Sequence, residues 1–327
     1  MNDEKNRRGL FKAAFYANNR HLQTILPTLF TYPLPPLNWQ ILPIADGDHV
    51  ELAWVNAPSP LTQVIIILLP GLEGSIASHY ISRLLARLQH TNLTTVVLHH
   101  RGCGPTMNRL WRSYHSNDQL GLQALVRHCQ TRWPTTPLYA IGYSMGANLL
   151  ANYLADHPLN GAALICPPLN LAVSAALLNQ PTRLIYRRYL LNSLKQRLST
   201  KIAQFANAPI KRSTLKSIHT LAEFDECYTA PACGFNSAND YYQQASCLPR
   251  LALIDTPTWL LRAADDPVVD PAPEDLTQRL SPSIHYQLSR HGGHVGFSQG
   301  WRLQHSWLDE TLLRWLQRSI SPTIEKD

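Results

Sequence analysis

The chain has 327 residues, 45% of them hydrophobic, and a formal net charge of +7. That is apolar material enough for a large buried core, and it excludes disorder except near the two ends. The basic residues are dispersed rather than focused on a nucleic-acid module, so they read as a solvated basic surface and nucleic acid is not expected as a partner.

The charged segment 1–8 runs into Gly9–Phe15, too short and interrupted for the apolar core of a secretory signal. The longest apolar run, Val64 to Leu69, meets Pro70 far short of the ~20 residues a membrane-crossing helix needs. Cysteines 103, 129, 166, 227, 233 and 247 form no Cys-x-x-Cys pair and read as reduced thiols of a cytoplasmic protein.

In chain order, residues 1–37 are expected to form an N-terminal strap, because the stretch Pro27 to Pro36 cannot be regular helix or central strand. Trp39–Ile44 and Val50–Val55 flank Asp46-Gly47-Asp48 and predict an antiparallel edge hairpin. Val64–Leu69 is apolar on both faces, as a central strand under helices must be. A glycine loop follows, then a helix from Ser78 to Gln89 with Ile81, Leu84, Leu85 and Leu88 on one face. Thr94–Leu98 predicts a strand, Asp118–Thr131 a helix, Leu138–Tyr143 a strand and Ala162–Cys166 another. This alternation implies a parallel sheet covered on both faces. It breaks over 171–250, which predicts an inserted helical cap whose clearest element is Leu184–Lys195. Strands Thr258–Ala263 and Ser283–Leu288 and a helix from Trp301 to Ile320 complete the core, assigned to 38–170 and 251–322.

Chemistry enters at Gly142-Tyr143-Ser144-Met145-Gly146, where an apolar run passes through Gly-x-Ser-x-Gly into a helical pattern. This is the grammar of a nucleophile elbow, with Ser144 as nucleophile. Such a serine needs a base, and the base needs an orienting carboxylate. Asp265-Asp266-Pro267 and His291-Gly292-Gly293-His294 follow the last two predicted strands, in the Ser…Asp…His order of α/β-hydrolases. Asp266 is preferred as the acid because it precedes a proline, like the acid of many such enzymes, which leaves Asp265 as a turn or capping residue. His294 is preferred over His291 as the base. Oxyanion donors are expected from the backbone of Met145 and of Leu72. No nucleotide pattern is present and no further ligand accompanies His291 and His294, so neither cofactor nor metal is expected.

Around these residues lie further blocks: Asn19 with His21–Thr24, Asp46-Gly47-Asp48, Gly71–Gly74, Arg101-Gly102-Cys103, Asn108-Arg109, Tyr114-His115-Ser116, Asn148, Phe224-Asp225, Tyr241-Tyr242 and His291–Phe297. Together they span residues 19 to 297 and resemble the YheT-type (AB-hydrolase-4-like) group of α/β-hydrolases. The resemblance implies an α/β-hydrolase fold and a carboxylic-ester hydrolase with a Ser-Asp-His triad, related to membrane-associated, lipid-active hydrolases of eukaryotes. The chain departs from the group's pattern at Pro70, where His is usual, at Gly104–Met107, and at Ala147, where a second glycine is usual.

The leading expectation is therefore a serine esterase acting on a small-molecule ester through an acyl-enzyme. The alternative is a non-catalytic protein of the same fold that binds a ligand or partner. The basic stripe Arg183–Lys201, with Leu184, Leu191 and Leu198 at every seventh position, has two readings: a cap helix packed on the core, the commoner use, and a weak membrane-surface contact through the cap. Oligomeric state has no signature in the sequence.

Overall fold

The computed structural model describes residues 11–13, 18–30, 32–59, 62–299 and 306–320. The expected strap over 1–37 thus lies partly outside the described residues. Eight strands form one sheet: β1 (Asn38–Pro43), β2 (His49–Val55), β3 (Ile65–Leu69), β4 (Thr94–Leu98), β5 (Leu138–Tyr143), β6 (Gly161–Ile165), β7 (Thr258–Ala263) and β8 (Ile284–Ser289). Their order is β1-β2-β4-β3-β5-β6-β7-β8, antiparallel from β1 to β4 and parallel thereafter. This is the α/β-hydrolase fold with an N-terminal antiparallel hairpin.

Side chains alternate across the sheet, as the period of a strand requires. In β3, Ile65, Ile67 and Leu69 enter one apolar cluster while Ile66 and Leu68 enter the other. Helices α3 (Leu120–Arg132) and α4 (Met145–Leu154) cover the first face through Leu122, Leu125, Leu149 and Leu150. The second face is covered by α2 (His79–Leu88) through Ile81, Leu84, Leu85 and Leu88, and by α8 (Trp307–Ile320) through Leu308, Leu312 and Leu316. At its start α8 differs from the expected helix, for it begins at Trp307; residues 300–305 lie outside the described residues.

Two elements depart from the sequence pattern. β2 is not an edge strand: it lies between β1 and β4 with every residue buried. Its polar Glu51 tolerates burial because it accepts hydrogen bonds from Thr106 N (3.1 Å) and Thr106 Oγ1 (2.9 Å). At the N-terminal end, residues Arg20–Ile25 form a short helix, α1, capped by the side chain of Asn19, which accepts from His21 N and Leu22 N. Pro27 then opens a 3-10 turn, Leu26–Leu29.

Between β6 and β7 the chain forms the helical cap: α5 (Leu171–Leu177), α6 (Leu184–Gln204), a π-helical turn (Asp225–Thr229) and α7 (Ala238–Ala245), with shorter turns between. The α6 stripe is a packed one, since Leu191 and Leu198 are buried with Leu215, Ile218, Phe224 and Tyr228. On other sides of the helix Ile185 and Tyr189 are exposed. Lys201, near the end of α6, is buried and donates to Asn108 Oδ1 (2.6 Å) and Arg112 O (2.9 Å). Asn108 Nδ2 in turn donates to Asp48 Oδ2 (2.6 Å), and the buried Arg101 donates to Asp46 (2.7 Å), Asp48 (3.2 Å) and Asp118 (2.8 Å). One charge-assisted network thus ties the cap to the turn between β1 and β2.

Candidate active site

Every parallel strand of such a sheet opens its carboxyl end to the same side, so residues far apart in the chain meet in one crevice. Ser144 follows β5 directly and precedes the first residue of α4, with φ 53° and ψ −121°. A side chain at positive φ is strained, and here the surrounding packing dictates it. Strand and helix approach so closely that a Cβ at Gly146 would lie 2.3 Å from Pro70 O, and one at Gly142 would lie 2.6 Å from Ala147 Cα. The two glycines are therefore steric requirements of the turn. The neighbouring strand β6 anchors it, for Ser144 N donates to Ile165 O (2.8 Å).

Ser144, His294 and Asp266 stand in one hydrogen-bonded line. His294 Nε2 is 2.8 Å from Ser144 Oγ, and His294 Nδ1 is 2.8 Å from Asp266 Oδ2. The other carboxylate oxygen of Asp266 accepts from Val268 N (2.8 Å) and Val269 N (3.2 Å), which fixes the carboxylate plane. Asp265 faces elsewhere: its oxygens accept from Gly293 N (2.9 Å) and lie 3.3 Å from His291 Nδ1. The adjacent acids thus divide the work, one facing His294 and the other bracing its loop. His291 and His294 turn to different carboxylates, and among the described residues no three His, Cys, Asp or Glu side chains converge on a metal position.

The loop carrying His294 is held from behind by α1, a role that sequence reasoning missed. Thr24 Oγ1 accepts from His294 N (2.9 Å) and donates to Arg20 O (2.7 Å). Gln23 bonds the loop twice, donating to Ser298 O (3.0 Å) and accepting from Ser298 N (2.8 Å). A Cβ at Gly296 would stand 1.9 Å from Gln23 O, so the glycines of the loop admit the helix backbone. The block His21–Thr24 was the available signal.

The loop after β3 carries Leu72, and both Leu72 and Met145 line the same cavity as Ser144 and His294. Met145 is the first residue of α4, so its amide has no acceptor within the helix. Pro70 does not leave the loop unsupported. Its carbonyl is bonded by His100 Nε2 (2.8 Å), Gly71 N donates to Tyr80 Oη (2.9 Å) and Gly74 N donates to Gly71 O (2.9 Å). His100 is buried beside it, and burial holds its imidazole below the ordinary range, which keeps the ring neutral.

These residues and the cap enclose a cavity of about 510 Å³, with Leu178, Leu190, Leu194 and Leu198 among the cap residues that line it. Its size suits a small-molecule ligand. Asp225, also in the wall, has its carboxyl pushed up to about 6 by burial, against the hydrogen bonds from Thr229 Oγ1 (2.6 Å) and Tyr242 Oη (2.7 Å). The folded chain then holds this proton more tightly than the unfolded one, so the stabilisation is complete below the unfolded value of 3.8 and is lost as pH rises through about 6. The urea midpoint of Asp225→Asn should gain on that of the wild type between pH 4.5 and 7, by on the order of 2 kcal/mol in stability. Parallel curves across that window would contradict the assignment.

Comparison with known proteins agrees with this architecture. The family model described as "Serine aminopeptidase, S33" matches residues 62–295. YheT of Escherichia coli (strain K12) is 37% identical over 307 residues, covering 91% of this chain and 90% of that one. The phospholipase ABHD3 of Homo sapiens is 27% identical over 313 residues, covering 91% and 76% respectively. Among solved structures, the Pyrococcus furiosus esterase Pf2001 superposes with a TM-score of 0.57 at 16% identity, over 87% of this chain and 91% of that one, a likeness of fold. The family model and the similarity to YheT place the chain: it belongs to the YheT-like (AB-hydrolase-4-like) esterase family of α/β-hydrolases.

Proposed function

We propose that the protein is a serine esterase that cleaves carboxylic esters with short or lipid-like acyl groups through an acyl-enzyme. The observation that carries the proposal is the line Ser144–His294–Asp266, with 2.8 Å at each link, on the wall of a cavity lined by cap leucines. In the first half-reaction His294 Nε2 accepts the Ser144 proton as Oγ attacks the ester carbonyl. The amides of Leu72 and Met145 serve the oxyanion, and Asp266 holds the imidazole with its proton on Nδ1. Collapse expels the alcohol, protonated by His294, and leaves the acyl group on Ser144. Water, deprotonated by His294, then attacks the acyl carbonyl and releases the acid and the free serine. The apolar cap wall suits the acyl chain, in keeping with relatives named as phospholipases.

In this reading residues 38–170 and 251–322 form the catalytic core and 171–250 the cap that selects the acyl chain. No described helix is long and apolar enough to cross a membrane, and all six cysteines are free thiols; a cytoplasmic location suits that thiol usage.

The test is covalent labelling. A fluorophosphonate should phosphonylate the folded protein, peptide mapping should place the adduct on Ser144, and p-nitrophenyl esters should be turned over. Neither labelling nor turnover, under conditions where a related esterase gives both, would exclude the reading.

A further inference from the structure

The loop from Gly71 to Gly74 contains a residue that does not suit its own backbone. Gly71 O accepts from Gly74 N (2.9 Å), closing a four-residue turn, and Glu73 occupies its third position with φ 58°. Positive φ at that position is what a type II turn demands, and glycine is the residue that meets the demand without strain. This chain has a glutamate there instead. Its side chain is nearly buried and is held on several sides. Arg197 Nε lies 2.9 Å from each of its carboxylate oxygens, and Ser193 Oγ donates to Oε2 (2.9 Å). Tyr114 Oη donates to Oε1 (2.7 Å) and accepts from the backbone N–H of Glu73 (2.9 Å). Ser193 and Arg197 are four residues apart in α6, on one face of that helix.

The geometry of the peptide planes says what this clamp does. The N–H of Leu72 belongs to the same rigid plane as the carbonyl of Gly71, and the two point in opposite directions. Fixing Gly71 O on Gly74 N therefore fixes where the Leu72 N–H points. The closed turn sets that direction within the loop, and the cap helix, through its bonds to the Glu73 side chain, sets where the turn stands against Ser144. We propose that Glu73 is a positioning residue: clamped by Arg197 and Ser193 of the cap and by Tyr114, it holds the Leu72 amide aimed at the developing oxyanion, so that cap placement sets transition-state stabilisation. The inference rests on the assignment of Leu72 as an oxyanion donor.

Glycine at position 73 separates this role from a merely structural one. Glu73→Gly relieves the backbone strain, so a residue that served only the turn would lose nothing. On the proposal, kcat for p-nitrophenyl butyrate falls between about 10- and 100-fold with KM within threefold, because complete removal of an oxyanion donor costs about 10²–10³-fold in kcat. The affinity of a trifluoromethyl ketone, whose hemiketal oxyanion uses the same donors, falls in step. The pH profile keeps its wild-type midpoint, since His294 is untouched. Arg197→Met should reproduce the loss, Arg197→Lys should recover part of it, and the double variant Glu73→Gly/Arg197→Met should be no worse than the poorer single one. Wild-type kcat in Glu73→Gly, unchanged ketone affinity, or losses that multiply in the double variant would overturn the proposal. Should Glu73→Gly fail to fold, Arg197→Met and Arg197→Lys carry the same comparison. Wild-type turnover that Ser144→Ala lacks establishes the esterase reading separately; an inert wild type would remove that reading and this inference together.

Discussion

Replacing Ser144 by alanine is expected to lower kcat for p-nitrophenyl esters by about 10⁵-fold or more, and Asp266→Asn by about 10⁴-fold, with both proteins folded. The two losses have different causes. Alanine removes the atom that attacks. Asparagine keeps the geometry and inverts the imidazole: the backbone amides of Val268 and Val269 already donate to one oxygen of residue 266, at 2.8 and 3.2 Å, so the amide oxygen would take that place. Its NH₂ group would then face His294 Nδ1, now 2.8 Å from Asp266 Oδ2. A donor at that point obliges Nδ1 to accept and moves the ring proton to Nε2, the atom 2.8 Å from Ser144 Oγ. An Nε2 that carries a proton cannot take one from the serine. Asp265→Asn supplies the contrast. Asp265 bonds Gly293 N and His291, so its loss should loosen the His294 loop and cost far less than Asp266→Asn. Steady-state kinetics on the three variants, with circular dichroism as the check on folding, decide it. If Asp265→Asn proves the more damaging of the two, the acid has been misassigned.

Much of this arrangement is legible in the sequence, and the legible parts share a physical reason. β3 and β5 carry no charged residue and are apolar or aromatic along their length, and a strand buried on both faces must look like that. Ser144, Asp266 and His294 follow β5, β7 and β8, so chain order and strand ends sufficed to place them near one another. The unread parts are those in which polar residues are buried in pairs. Arg101, Asp48 and Glu51 carry charge and would pass for surface, yet each is buried because its partners lie in other segments. Hydrophobic period measures average burial and does not register such pairing. The helix α1 escapes for a second reason. It has six residues, too few to display a helical period, and its bond to the His294 loop joins positions 270 residues apart. The supports of Pro70 are of the same kind: Tyr80 and His100 reach backbone groups of another loop, with no local pattern to announce them.

Stability should depend most steeply on one of these buried pairs. Arg83, in α2, donates to both carboxylate oxygens of Asp309, in the first turn of α8, at 2.5 and 3.2 Å, and to Ser306 Oγ at 2.9 Å. Both charged residues are almost wholly buried, at 3% and 1% exposure, so neither charge has water to fall back on. Asp309→Ala would leave the guanidinium buried without its counter-charge and strip the first turn of α8 of an acid that complements the helix dipole. A loss of about 3–5 kcal/mol follows, read as a lower urea midpoint at unchanged slope. The pair itself need not be stabilising. Exchanging both members for apolar residues, as in Arg83→Met/Asp309→Leu, should recover most of that loss, because desolvation of two ions roughly cancels their attraction. A single variant as stable as the wild type, or a double variant worse than the single, would contradict this account. The consequence reaches the site as well. Helix α2 carries Tyr80, whose hydroxyl accepts the Gly71 amide in the loop that holds Leu72. Loosening α2 against α8 should therefore lower esterase activity in Asp309→Ala at urea concentrations below its unfolding midpoint, while the double variant keeps activity up to the transition.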